Sequence, residues 1–169
     1  MTHQNNLATV SQFDGNAYQS AQAAELTLNA AILRAEIARS YEEFLQIFDR
    51  FYADDVEVSS EDSPETIHGK HRVRSLLTNF LIPLHVMAEI GGLSISIFQT
   101  TIPGDISDET NSAWTLDLIG VSGRTCTVSW RTLRKWHDSL VVYEYHYDQH
   151  QNGGPLTSDD LSLDTANLS

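Results

Sequence analysis

Residues 112–147 hold three alternating runs joined by two tight turns, and this stretch limits what the chain can fold into more than any other. The runs are 112–120, 124–136 and 140–147, each with the two-residue period of a strand. If Val121-Ser122-Gly123 is a three-residue loop with Gly123 left-handed, a common hairpin form, then Leu118 faces Cys126, Leu116 faces Val128 and Trp114 faces Trp130. Every pair on that face is apolar. A two-residue turn at Ser122-Gly123 sets Asp117 against Val128 instead, so the first register is preferred. A turn at Asp138-Ser139 pairs Trp136 with Val141, Arg134 with Tyr143, Thr132 with Tyr145 and Trp130 with Tyr147. One face then carries Trp114, Leu116, Leu118, Cys126, Val128, Trp130, Thr132, Tyr143, Tyr145 and Tyr147. The other carries Asp117, Ser129, Arg131, Lys135, Glu144, His146 and Asp148.

Helical spacing dominates the first half. Ala24, Leu28, Ala31, Ile32 and Ala35 mark one helix face. Ser40 caps a second helix, with Glu43 as its capping-box partner, and Tyr41, Phe44, Leu45, Phe48, Phe51 and Tyr52 form its apolar side. Ala53-Asp54-Asp55 ends it, and Val56 and Val58 alternate as a short strand. Ser63-Pro64 reads as a loop. Gly69 opens a third helix with Val73, Leu76, Leu77, Phe80 and Leu81 on one side, and Pro83 stops it. Residues 84–101 read as one long strand or two, bent at Gly91-Gly92, with a polar loop over 103–111.

Composition narrows the function. Ten basic residues against 23 acidic ones give a net charge of −13, which disfavours phosphate backbones and anionic membranes. No apolar run reaches the roughly 18 residues a spanning helix needs. The polar start has no secretory pattern, and Cys126 is the one cysteine, so a cytoplasmic location is expected. Residues 1–20 and 149–169 are polar and are expected to be loosely packed, flanking one α+β domain over 21–148.

The stretch Phe51-Tyr52-Ala53-Asp54-Asp55-Val56-Glu57-Val58 resembles the helix-to-strand passage of the nuclear transport factor two-like superfamily, which includes ketosteroid isomerases and SnoaL-like polyketide cyclases. Ile67-His68-Gly69-Lys70 is similar to its next motif. Arg134-Lys135-Trp136, Leu140-Val141-Val142 and Tyr147-Asp148 are similar to its terminal hairpin. The resemblance covers roughly residues 41–148. It implies three N-terminal helices packed on a strongly curved, mostly antiparallel sheet, forming a cone with an internal pocket. It says little about activity, because the fold hosts many. In an isomerase-like alignment the general-base aspartate falls on Ser60 and the oxyanion-donating acid on Thr132. Neither residue type does that work well.

The expected ligand-binding residues are Trp114, Leu116, Val128, Trp130, Thr132, Tyr143, Tyr145 and Tyr147, a lining suited to a small hydrophobic or aromatic molecule. Ser60, Thr132 and His85 are the catalytic candidates, with His85 and Glu89 on one side of an apparent strand. His68, beside Gly69, reads as structural at a helix start. Asp54 and Asp55 read as turn residues. Glu144, His146 and Asp148 form a His–carboxylate cluster, placed by this register on the outer face. That face, with Arg131 and Lys135 among its carboxylates, suits a homodimer contact. No GxGxxG, P-loop, CxxC or HExxH occurs, so no cofactor or metal is expected. Three readings stay open: cofactor-free isomerisation, cyclisation or dehydration; ligand binding without chemistry; and a dimeric protein-interaction domain.

Overall fold

The computed structural model describes residues 14–38, 40–102 and 108–161. Its elements run α1 (Asp14–Ala38), α2 (Tyr41–Phe51), β1 (Tyr52–Ser60), β2 (Ser63–His68), α3 (Lys70–Glu89), β3 (Leu93–Ile102), β4 (Glu109–Gly120), β5 (Thr125–His137), β6 (Leu140–Asn152) and α4 (Ser158–Leu161). The strands form one sheet in the order β2-β1-β6-β5-β4-β3. Among the described residues only the β1–β6 pair is parallel. The three long helices lie before the main strands and cover one face of the sheet, so the α+β architecture is as expected. Among the described residues no helix is long and apolar enough to cross a membrane.

Local chemistry explains each boundary. Ser40 caps α2 by accepting from the Glu43 N–H at 3.2 Å. The buried side of α2 is Leu45, Phe48 and Phe51. Phe48 and Phe51 join Leu28 and Ile32 of α1, Val56 of β1, Val73 of α3 and Trp114, Trp136 and Val141 of the sheet in one core. The chain enters β1 at Tyr52, so Asp54 and Asp55 lie within a strand and not in a helix-ending turn. Ser63-Pro64, read from sequence as a loop, begins β2, which pairs with β1 as a short edge strand, where a proline is tolerated.

The largest departure from the sequence reading lies at α3. Pro83 does not stop this helix, which runs on to Glu89. A mid-helix proline costs about 3 kcal/mol in isolation, but Val73 before it, and His85 and Ala88 after it, are buried in the fold. What ends α3 is the Gly91-Gly92 pair. Gly91 has φ 78° and donates to Ala88 O, while Gly92 donates to Met87 O, the paired bonds of a Schellman cap. The glycines that suggested a strand bend are a helix terminus, and His85 and Glu89 are helical.

Beyond the expected domain edge, β6 continues to Asn152 and α4 folds back onto the turns at the end of the sheet. Asp160 is buried and takes bonds from the Thr157 N–H, the Thr157 hydroxyl and the Ser122 hydroxyl. A Cβ on Gly120 would meet Asp160 O at 2.4 Å, so only glycine allows this approach. Of the ends expected to be loosely packed, 1–20 and 149–169, residues 14–20 belong to α1 and 149–152 to β6, and residues 1–13 and 162–169 lie outside the described residues.

Candidate active site

The turn over Val121-Ser122-Gly123 forms as anticipated, with Gly123 at φ 80°, and Trp114–Trp130, Leu116–Val128 and Leu118–Cys126 are cross-strand partners. Cys126 is buried, as packing predicts. The Asp138-Ser139 turn also forms, with φ of 50° and 64°, and Trp136 pairs with Val141. There the expected register fails. Val142 is an extra residue in β6, so Lys135 pairs with Tyr143, Arg134 with Glu144, Thr132 with His146 and Arg131 with Tyr147. A one-residue bulge exchanges the faces of the residues after it, here as far as Tyr147, where a second irregularity opposite Trp130 shifts the register again. Glu144 and His146 therefore turn to the helix-covered inner face, beside Thr132 and Arg134. Tyr143, Tyr145 and Tyr147 turn outward, away from Trp114, Leu116, Val128, Trp130 and Thr132.

The inner face is thereby ordered in rows. One row holds Thr110, Arg134 and Glu144. The next holds Ser112, Thr132 and His146, extended on β1 by Ser60, which is the partner of His146. After it come Trp114 and Trp130, then Leu116 with Val128 and Leu118 with Cys126. Polarity falls along the sheet from ions through hydroxyls and imidazole to tryptophan and aliphatic side chains.

Helix α1 completes the ionic row. Glu25 and Asn29, one turn apart, project from the face that also carries Leu28 and Ile32. Arg134 Nη1 donates to Glu25 Oε1 at 2.8 Å and to Asn29 Oδ1 at 3.1 Å, while its Nε donates to Glu144 Oε2 at 2.6 Å. Glu25 also accepts from Ser112 at 2.5 Å, from Thr110 at 2.9 Å and from Asn29 at 2.9 Å. Trp136 Nε1 donates to the Thr110 hydroxyl at 2.7 Å. Tyr52, at the start of β1, donates to Glu144 Oε2 at 2.5 Å, and His146 Nε2 meets Glu144 Oε1 at 2.7 Å. Each ion is paired and its remaining capacity is met by neutral groups, as burial of charge requires.

The electrostatics follow. Burial would raise the Glu144 carboxyl, but Arg134 foremost, then His146 and the hydrogen bonds from His146 and Tyr52, hold it well below the carboxylate range. Burial, and the neighbouring Glu144 carboxylate, push the Tyr52 phenol well above its ordinary value against the pull of Arg134. Burial works against the Arg134 charge, and Glu25, Tyr52 and Glu144 more than restore it. The formal charge of the two carboxylates and one guanidinium is −1, and the His146 imidazole also contacts this cluster through Glu144. Its side chain is 30% accessible against 9% for Glu144, 4% for Arg134 and none for Glu25. His146 is thus the exit of a buried network.

Of the catalytic candidates, Thr132 and Ser60 flank His146 on its two neighbouring strands. Ser60 bonds Gln149 Nε2 at 2.8 Å. His85 stands on α3, its ring 6.5 Å from that of Tyr41. Asp148, expected beside His146, pairs instead with Arg131 and His150. The residues that sequence reasoning missed are Glu25, Asn29, Tyr52 and Arg134. Among the described residues no cluster of His, Cys, Asp and Glu has the arrangement of a metal site.

No protein-family model matches the sequence, and no curated protein matches it either. Solved structures do resemble it. A putative polyketide cyclase from Xanthomonas campestris pv. campestris superposes with TM-score 0.53 at 13% identity, over 76% of this chain and 91% of that one. An NTF2-like protein of unknown function from Cytophaga hutchinsonii gives 0.52 at 11% identity, over 75% and 97%. An LEH-like epoxide hydrolase of M. tuberculosis gives 0.51 at 16% identity, over 74% and 82%. The likeness is one of fold, and it is the fold that the sequence motifs implied.

Proposed function

We propose that this nuclear transport factor two-like fold serves as a cofactor-independent acid–base enzyme for a small hydrophobic molecule held at the inner sheet face. His146 takes and returns the proton, and Glu144 is the residue that positions it. The observation that carries the reading is the 2.7 Å contact from His146 Nε2 to Glu144 Oε1, on a carboxylate whose other oxygen is held by both Arg134 and Tyr52. A carboxylate so fixed orients the imidazole. With Nε2 committed to Glu144, Nδ1 is the nitrogen left for a substrate.

The rows next to His146 supply the rest. Thr132 and Ser60 are neutral hydroxyl groups that suit the orienting of a ligand, and the Trp114–Trp130 pair, with ring centres 6.2 Å apart and planes within 10°, suits an apolar body. Epoxide opening and polyketide cyclisation, the activities in the names of two similar structures, are reactions that general acids and bases promote. Hydrophobic epoxides and enolisable carbonyl compounds are therefore the substrates to try. A panel of both, followed by mass spectrometry, should yield turnover by the wild-type chain and a loss of about 100-fold or more in His146→Asn. Turnover at the wild-type rate in that variant contradicts the reading. If no compound on the panel is turned over, ligand binding without chemistry becomes the better account, which the stacked tryptophans alone would support.

The outer face suits a second copy of the chain. Tyr145 and Tyr147 stack there at 5.8 Å, Phe98 is exposed on β3, and Arg131 and Lys135 stand near Asp148 and Glu109. Light scattering should give a dimer mass, and a monomer mass at working concentration removes the proposal.

A further inference from the structure

We infer that the open edge of β3 is a docking edge for a second copy of this chain, whose own β3 adds to it antiparallel about a two-fold axis normal to the sheet. Among the described residues β3 is the last strand of the sheet and pairs with β4 alone. Gly120 N–H donates to Arg124 O across the β4–β5 turn, so the even-numbered residues of β4 bond β5 and the odd-numbered ones bond β3. The β3–β4 register is unbroken, with Ser94 opposite Ile119 and Phe98 opposite Thr115. The N–H and C=O groups of Ile95, Ile97, Gln99 and Thr101 therefore point out of the sheet, and no backbone group among the described residues bonds them there.

The two edges of the sheet differ. β2 has six residues, carries Pro64, Glu65 and His68, and pairs irregularly with β1. Such features discourage a further strand. β3 has ten residues, Leu-Ser-Ile-Ser-Ile-Phe-Gln-Thr-Thr-Ile, with no charge, no proline and no bulge. A strand of this kind is a template for another. Phe98 on it is 59% exposed, more than any other large apolar side chain among the described residues.

The strand itself points to the occupant. The chain carries a net charge of −13, so like-charge repulsion opposes the approach of a second copy. At β3 neither copy brings a charge to the edge. A two-fold axis normal to the sheet sets inner face beside inner face and outer beside outer. Centred on Phe98, it places Phe98 against its own counterpart, Ser96 against Thr100 and Ser94 against Ile102 on the outer face. Ile97 meets Gln99 and Ile95 meets Thr101 on the inner one. Phe98 then forms a close aromatic pair of the non-hydrogen-bonded kind, and the four outward residues make about eight main-chain bonds. That number lies within the range of a stable protein interface. The contact runs in the plane of the sheet, and it depends neither on the outer-face contact nor on the chemistry given to His146.

Amide hydrogen exchange in the full chain, read by NMR alongside light scattering, tests it. The expected result is a mass of at least a dimer, with the amides of Ile95, Ile97, Gln99 and Thr101 as slow as those of Ser94, Ser96, Phe98 and Thr100. Ser96→Lys with Thr100→Lys sets like charges opposite each other twice, and should speed exchange at the four outward amides by about tenfold or more. Ser96→Lys with Thr100→Glu sets opposite charges there and should restore protection, which also shows that charges at these exposed positions leave the fold intact. A dimer mass with fast exchange at the four amides places the second copy elsewhere and overturns the inference. A monomer mass overturns it as well; slow exchange in that monomer would mean that the chain's own residues cover the edge. Equal protection in the two double variants overturns the two-fold pairing.

Discussion

Glu144 on β6 stands directly opposite Arg134 on β5, with 2.6 Å between Oε2 and Nε. Arg134 also holds Glu25 of α1, so one guanidinium ties the first helix to the last strand. Removing it leaves two carboxylates buried without their counter-charge, a loss of roughly 3–5 kcal/mol for a broken buried pair. Arg134→Met should therefore lower unfolding free energy by about that amount in urea titration. A loss under about 1 kcal/mol would mean that the network is solvated and not structural.

The same network sets the acid limb of stability. The folded-state pKa of Glu144 lies below its ordinary 4.5, and that of Asp160 is drawn from 3.8 to about 2, first by the Thr157 N–H and then by the Ser122 and Thr157 hydroxyls. A depressed carboxyl contributes stability that is full above its unfolded pKa and is lost as pH falls through the folded value. Urea midpoints should hold at neutral pH and fall below about pH 4.5. Glu144→Gln should flatten that fall. At the alkaline end the sign reverses, because the Tyr52 phenol is raised in the folded state. Stability should decline as pH rises past 10, less steeply in Tyr52→Phe.

The bulge at Val142 decides which residues face inward. Deleting Val142 would remove the extra residue and leave Lys135 opposite Tyr143 and Arg134 opposite Glu144, so Glu144 would stay inward. The deletion variant should keep cooperative thermal unfolding, followed by circular dichroism. Loss of the transition would show that the strand needs the bulge itself to hold the network.

At the far end of the sheet, Gly120→Ala would press a methyl group into Asp160 O and displace α4. Limited proteolysis should then cut after residue 152 faster than in the wild type. An unchanged rate would mean that α4 is held by other contacts.

Particular residues explain how far the sequence could be read. The β4–β5 register was legible because Gly123 fixes the turn and the three inner pairs next to it, Leu118–Cys126, Leu116–Val128 and Trp114–Trp130, are apolar. The β5–β6 register was not, because Val141 and Val142 are both apolar and tyrosine is at home on either face of a sheet, so nothing in the alternation marks the extra residue. One signal was present: Arg134 alternates with Trp130, Thr132 and Trp136, and a buried guanidinium demands carboxylates. Glu144 two residues beyond Val142, and Glu25 with Asn29 on the apolar side of α1, were the groups able to meet that demand. Gly91-Gly92 was ambiguous for another reason. A glycine pair ends a helix as readily as it bends a strand, and the proline before it favoured the wrong alternative.

The account stands on His146, and not on the outward tyrosines, as the reacting side of β6. Turnover of the epoxide and carbonyl panel by His146→Asn and Tyr147→Phe, measured side by side, tests this most directly. The prediction is a loss of about 100-fold or more in His146→Asn, with Tyr147→Phe within about twofold of the wild type. Full activity in His146→Asn together with loss in Tyr147→Phe would contradict it and move the site to the other face of the sheet.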